Sequence, residues 1–355
     1  MHRRKVVVGM SGGVDSAVAA YLLKKQGFDV TGVTLRTWTV GDNRCCEIDK
    51  AGRTANQLSL PFYTWNVSLV FREKIIEPFI AEYLQGRTPN PCVQCNRHVK
   101  WEWLLHAADV LGAEFIATGH YAQVRCRNGR YAVGMAKDTE KDQSYMLYRL
   151  TQEQLSRTLF PLADFAKRDV RKIAEEIGLS VHDKADSQEI CFAADGNYAD
   201  FIEQTYEDTI SAGGNFVDEY GNILGRHKGI IRYTVGQRKG LGLALGFPAY
   251  VKKICADTNE IIVGKEDALY SRKIILDNLN FLRISPPQEG EKISCRVKIR
   301  YRHAGEAAQI EMIDKTHMQA VFADKIRAAA PGQSAVFYDT EGFVLGGGVI
   351  TEAKD

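Results

Sequence analysis

Two stretches of this 355-residue chain hold residue types that can do chemistry. The first is Gly9-Met10-Ser11-Gly12-Gly13-Val14-Asp15-Ser16, set between Val6-Val7-Val8 and Ala17-Val18-Ala19-Ala20. A strand, a glycine-rich turn and a helix aim backbone N–H groups and a positive helix end at one point, which makes an anion site. Gly12 and Gly13 are expected to take positive φ and come close to a phosphate. Ser11 and Ser16 offer hydroxyl donors, and the Asp15 carboxylate could hold Mg²⁺. The second stretch is Gly86-Arg87-Thr88-Pro89-Asn90-Pro91-Cys92-Val93-Gln94-Cys95-Asn96. Its prolines hold the loop extended and deliver the two thiols to the start of a helix, whose dipole favours thiolate. A third thiol, Cys191, stands in Asp186-Ser187-Gln188-Glu189-Ile190-Cys191-Phe192. Buried structural thiols, a zinc site and reactive sulfur chemistry are the competing readings. Zinc needs four N/S ligands, and Cys92 with Cys95 supplies half of them with no second CxxC in the chain. Thiol–disulfide chemistry needs a second thiolate near the first.

No lysine follows the first loop as in a Walker sequence, and GxGxxG is absent. The pattern SGGxDS resembles the PP-loop of ATP pyrophosphatases, which release pyrophosphate and leave an adenylate. The plain alternative is an ordinary turn rich in small residues.

Alternating elements must position these groups. Strand-like runs at Lys5–Val8, Val30–Leu35, Phe62–Val67 and Phe115–Thr118 alternate with helical patterns at Asp15–Lys25, Ile48–Leu58, Phe71–Gln85 and Val99–Leu111. That order predicts a Rossmann-like α/β domain with a parallel sheet and ligands at the carboxyl ends of its strands. The first loop, Leu35 and Thr118-Gly119-His120 then share one crevice. Asn128-Gly129 marks a hairpin, and helical patterns return at Gln152–Arg157, Arg168–Ile177 and Asn197–Gln204. Residues 1–205 read as the nucleotide-binding catalytic domain. A Gly-rich, strand-like stretch makes 206–271 a small mixed or β connecting domain, and short strands make 272–355 an antiparallel β-barrel.

Composition is that of a globular protein, with 45% hydrophobic and 25% charged residues. No apolar run nears the roughly 18 residues of a membrane span. Val6–Val8 is too short for a signal sequence. Eight cysteines in 355 residues make no disulfide scaffold, so a cytoplasmic setting and no membrane partner are expected. The formal net charge of +2 does not itself argue for nucleic acid, so any such surface must come from clustering.

SGGVDS, GRTPNPCVQCN, ATGHYA, KDQSYML, DSQEICF and YTVGQRKGLG, in that order, resemble the tRNA-specific 2-thiouridylase family. Val297–Arg302 and Pro331–Val336 resemble its C-terminal barrel, so the likeness covers essentially the whole chain. The resemblance implies ATP at Gly9–Ser16, with Leu35 and Gly119 also at the nucleotide. The wobble uridine O2 would attack the α-phosphate, pyrophosphate would leave, and sulfur would replace the adenylated oxygen. Cys191 matches the persulfide carrier and Cys95 the nucleophile that frees the sulfur, ending in a Cys95–Cys191 disulfide. Asn90, Pro91 and Cys92 would line the target base, and His120 would face the tRNA. Lys141, Asp142 and Gln143 would touch the anticodon arm, with Arg300, Tyr301, Arg302 and Gln333 on the barrel side. A cysteine desulfurase or sulfur-relay protein would supply the sulfur.

The chain departs from the family pattern at Cys92, where many relatives carry Asp. Cys92 does not replace a carboxylate base. With Cys95 and Cys191 it makes a three-thiolate set, and the alternative mechanism is a four-iron cluster on those three that delivers hydrosulfide. Arg296, Lys298, Arg300 and Arg302 recur every second residue, which in a strand makes one cationic face suited to a phosphate backbone. A plain solvated face is the alternative. Arg232, Arg238 and Lys239 would extend the path. Cys126, Cys255 and Cys295 read as structural, and Cys45-Cys46 has no role. Two rival functions remain: a PP-loop protein that binds tRNA without sulfur transfer, and another adenylating PP-loop enzyme. Neither needs the cysteine pair together with the basic stripe.

Overall fold

The structure, a computed structural model, describes residues 3–37, 48–181, 190–193, 198–206 and 213–355. Cys45-Cys46, Asp186–Glu189 and Asn197 lie outside the described residues.

Val6, Val7 and Val8 are wholly buried, which a strand permits only when both faces are covered. Val7 joins one apolar cluster, with Val33 and Ile116. Val6 and Val8 join another, with Ala17, Val18 and Val30. The strand is β1 (Lys5–Gly9), at the centre of a parallel sheet with β2 (Asp29–Arg36), β3 (Phe62–Asn66), β4 (Phe115–Ala117) and the short β7 (Thr158–Leu159). The order is β3-β2-β1-β4-β7, and β1 has β2 on one side and β4 on the other. The chain therefore reverses its direction of travel across the sheet at β1, the place where α/β sheets bind ligands.

Helices α1 (Val14–Lys25), α2 (Ile48–Gln57) and α8 (Lys167–Glu176) bury residues in the cluster of Val6 and Val8. The other face is covered by two longer helices, each with a wider π turn in its middle. One runs through α3 (Ser68–Phe71), the π segment Arg72–Ile76 and α4 (Glu77–Leu84). The next runs through α5 (Pro91–Cys95), Asn96–Trp101 and α6 (Glu102–Val110). The periodicity at Ile75, Ile76, Phe79, Ile80 and Tyr83 is that of a buried helix face, and all five are buried. The second helix begins at Pro91 rather than near Val99. Proline at its first turn removes an N–H that would have no partner there.

The Asn128-Gly129 hairpin forms between β5 (Gln123–Arg127) and β6 (Arg130–Gly134), with both turn residues at positive φ. Helix α7 (Gln152–Ser156) starts on a full capping box of Thr151 and Gln154, and α9 is Tyr198–Thr205. A small sheet follows, β10-β11-β8-β9, built from β8 (Asn215–Val217), β9 (Ile223–Arg226), β10 (Tyr250–Cys255) and β11 (Glu260–Gly264). Strands β12 (Tyr270–Phe281), β13 (Lys292–Lys298), β14 (Glu306–Met312), β15 (Met318–Arg327), β16 (Ser334–Tyr338) and β17 (Val344–Lys354) close into an antiparallel barrel. The expected three-part architecture, parallel α/β then small sheet then barrel, is the one observed. Among the described residues, no helix is long and apolar enough to cross a membrane.

Candidate active site

Gly12 has φ +77°, whereas Gly13 is extended at φ −102°, so only the first glycine takes the left-handed turn. The Ser16 hydroxyl is engaged within the loop. It donates to the Gly13 carbonyl at 3.1 Å and accepts from the Ser11 N–H at 3.2 Å, stitching the turn to α1. Ser11 is exposed and keeps the donor role. Met10 and Val14 are buried, and the Thr34 hydroxyl donates to the Met10 carbonyl at 2.6 Å. The loop is thus held by β2, whose buried Leu35 ends beside it. Gly9 lies against Leu104 of α6, 3.0 Å from where a Cβ would sit. Gly119 follows β4, and a Cβ there would lie 2.6 Å from the Asp15 carbonyl carbon and the Ser16 nitrogen. Only glycine lets the two loops approach so closely. The structure therefore brings Gly119 against the Asp15–Ser16 end of the loop, and the close backbone there suits a phosphate.

Asp15 is not an open carboxylate. Lys167 Nζ reaches both its oxygens, at 2.8 and 2.7 Å, and the Tyr121 hydroxyl donates to it at 2.8 Å. Lys167 is 8% exposed and stands at the start of α8. Sequence reasoning missed it, although the absence of a lysine after the loop posed the question of which cation serves the phosphates. Asp15 is the carboxylate of this loop that could serve a Mg²⁺, at the cost of its pairing with Lys167.

Trp101 Nε1 donates to the Thr158 hydroxyl at 2.8 Å, and the Trp101 ring lies 5.5 Å from that of His120. This contact joins the nucleotide loops to the thiol-bearing helix. His120 Nδ1 is 2.9 Å from the Thr118 hydroxyl. Burial first, then the Lys100 cation, pushes its pKa down to about 3, which favours the neutral ring. Lys100 also opposes the burial that raises the Cys92 thiol. Cys92 opens to solvent yet is walled by protein. Cys95, one turn on, is buried, and Cys191 is exposed. Asn96 donates to the Met146 carbonyl at 3.0 Å, and Arg97 to the Arg149 carbonyl at 2.8 Å, fixing the helix against 144–149. Asn90 extends its amide toward the Met146 sulfur at 3.6 Å, and Pro91 is buried beneath it. Among the described residues no three His, Cys, Asp or Glu side chains gather as a metal site.

Other expected contacts turn inward. Asp142 is 4% exposed and accepts from the Ala136 and Ser144 N–H groups and the Ser144 hydroxyl. Gln143 brackets Tyr121, accepting from its N–H at 3.0 Å and donating its own N–H to the Tyr121 carbonyl at 2.8 Å. These bonds fix Asp142 and Gln143 in place, with Lys141 half-buried beside them. The cationic stripe breaks because β13 ends at Lys298 and the chain bends. Lys298 is buried over the Tyr338 ring, with the Asp142 carboxylate drawing on its charge. Arg300 donates to the Arg327 carbonyl at 3.1 Å. Tyr301 lies 6.2 Å from Tyr145, and Arg302 is exposed. Arg232 pairs with Asp200 at 2.9 Å and Glu203 at 2.5 Å, so it leaves the proposed path, whereas Arg238 and Lys239 are exposed. Gln333 donates to the Thr88 carbonyl at 2.7 Å, and Thr88 donates to the Pro331 carbonyl at 2.8 Å. The barrel thereby grips the loop that leads to Cys92 and Cys95.

A glycine-rich turn at the switch point of a parallel sheet, with a thiol-bearing helix beside it and a barrel holding that helix's entry loop, defines a class. It is a PP-loop type nucleotide-binding domain joined to a β-barrel. Residues 4–195 match the family described as the tRNA methyl transferase HUP domain. Residues 199–265 match the tRNA methyl transferase PRC-barrel domain, and 271–350 the aminomethyltransferase beta-barrel domain. Full-length relatives include the tRNA-specific 2-thiouridylase MnmA of Lachnoclostridium phytofermentans, 49% identical over 98% of this chain and 99% of that protein. The MnmA of Clostridium beijerinckii is 46% identical over 98% and 99%. The chain belongs to the tRNA-specific 2-thiouridylase family.

Proposed function

We propose that this protein is an ATP-dependent tRNA uridine 2-sulfurtransferase that acts on the wobble base. The observation that carries this reading is the contact chain from the phosphate-type loop through Gly119, His120 and Trp101 to the helix of Cys95. It supports reading the phosphate-type loop and the thiol-bearing helix as parts of one site. The uridine O2 is a hopeless leaving group until it bears a phosphate. It attacks the α-phosphate of ATP and expels pyrophosphate, while loop N–H groups and Lys167 stabilise the developing charge; a Mg²⁺ beside Asp15, if bound, would add to that stabilisation. Cys191 carries a persulfide supplied by a cysteine desulfurase or relay protein. The Cys95 thiolate attacks the inner sulfur and releases hydrosulfide as the Cys95–Cys191 disulfide forms. Hydrosulfide adds at C2, and AMP departs with the original oxygen. An external thiol reductant then returns two electrons to the disulfide.

Neutral His120 offers the base a hydrogen-bonding edge rather than a charge. Asn90 and Cys92, at the start of the thiol-bearing helix, would line the target base. Arg302, Arg238 and Lys239 are exposed, with Lys141 half-buried, and these cations would face the tRNA backbone. A cytoplasmic setting suits exposed thiols at Cys92, Cys126 and Cys191. Cys95→Ser and Cys191→Ser should each abolish 2-thiouridine formation from a persulfide donor while leaving pyrophosphate release intact. Thiolation by either purified variant contradicts the assignment of its thiol.

A further inference from the structure

Cys191 is exposed, yet the next residue, Phe192, is 6% exposed and anchored on three rings. Its ring lies 5.8 Å from Phe71, 5.1 Å from Phe79 and 5.3 Å from Phe201, each edge-on or tilted. Edge-to-face geometry of this kind fixes orientation as well as depth. The socket is itself braced. Tyr198 stacks on Tyr83 at 4.5 Å, and Arg232 holds Asp200 and Glu203 of α9, which carries Phe201. Phe71 and Phe79 flank the π segment Arg72–Ile76, and α5, which carries Cys95, packs against that segment. One helix, Ser68–Leu84, therefore touches both the residue beside Cys191 and the helix of Cys95. Phe192 and Cys95 lie in the same apolar cluster.

We infer that Phe192 is a positioning residue for sulfur transfer: seated in its socket, it fixes the Cys191 sulfur relative to Cys95 through the shared helix. This rests on the role of Cys191 in the proposed reaction. Phe192 packs in a different apolar cluster from Met10 and Val14 of the phosphate-type loop, so its loss acts on the sulfur step and spares adenylation. Misplacing a reacting atom by about 1 Å costs about 100-fold in rate.

The test uses the full-length protein with ATP, a tRNA transcript bearing wobble uridine, and a persulfide donor. It reads the single-turnover pyrophosphate burst, the rate of 2-thiouridine formation and the rate of Cys95–Cys191 disulfide formation. Phe192→Ala should slow thiolation and disulfide formation about 100-fold and leave the burst within about twofold. Phe192→Leu, which refills much of the socket, should recover most of the loss; if the Ala variant fails to fold, Leu alone should show the same split at a smaller size. Unchanged thiolation, or thiolation and burst falling together, overturns the inference. Cys191→Ser run beside them separates the two claims. If Cys191→Ser is dead and Phe192→Ala is normal, only the socket fails. If Cys191→Ser still thiolates, the role of Cys191 fails.

Discussion

Lys167 shows most clearly how a residue's work depends on the fold. It is 152 positions from Asp15 in sequence, yet its ammonium bridges both carboxylate oxygens at the mouth of the anion loop. Nothing local marks it: Lys167-Arg168 at the start of α8 reads as ordinary surface charge, and the pairing exists only because α8 packs on α1. By contrast, the glycines and serines of the loop were legible because turn chemistry and phosphate approach are local demands. Ser16 was legible as a hydroxyl at the right place, but not as the stitch it makes to Gly13. Lys167→Met should cut the pyrophosphate burst by about 100- to 1,000-fold, since one preorganised charge-stabilising group is worth about that much. Lys167→Arg, which keeps a cation near Asp15, should lose less. A burst from the Met variant at the normal rate would remove Lys167 from the chemistry.

At the scale of elements, hydrophobic period predicted the strands and helices of the α/β domain, because burial on two faces leaves an unambiguous pattern. The π turns at Arg72–Ile76 and Asn96–Trp101 left no such mark: one extra residue per turn hardly alters which side chains are apolar. The second follows Cys95 directly and sets the angle at which Trp101 meets His120. The cationic stripe on β13 failed for a plain reason: alternation describes a strand only while the strand lasts, and this one ends at Lys298. The turn before β16 is the element-level device that sequence reasoning under-read. Gly332 has φ +90°, and a Cβ there would lie 2.8 Å from the Thr88 nitrogen and 3.0 Å from its carbonyl carbon. Gly332→Ala should destabilise the protein by about 1–3 kcal/mol, measured by denaturant unfolding. It should also slow thiolation more than pyrophosphate release, because the grip on Thr88 loosens the Cys92–Cys95 entry. Equal slowing of both would place the contact in general stability instead.

For the whole molecule, the barrel is a structural partner of the N-terminal domain. Asn280 donates to the Tyr148 carbonyl at 2.6 Å, Arg130 to the carbonyls of Phe281 and Leu282, and the Tyr145 hydroxyl to the Ser334 carbonyl at 2.8 Å. These contacts bind 130–150 to the barrel and consume several polar groups, Asp142 and Lys298 among them, that a reading of isolated motifs would offer to tRNA. Adenylation, sulfur delivery and substrate gripping thus share one braced frame. The central claim is that the loop at Gly9–Ser16 activates the same oxygen that sulfur replaces. Labelling the wobble uridine O2 with oxygen-18 and following one turnover by mass spectrometry tests this directly. The account predicts that the label appears in the phosphate of AMP, one per 2-thiouridine formed. Label found in pyrophosphate or in water, or thiolation that proceeds without ATP, would contradict it.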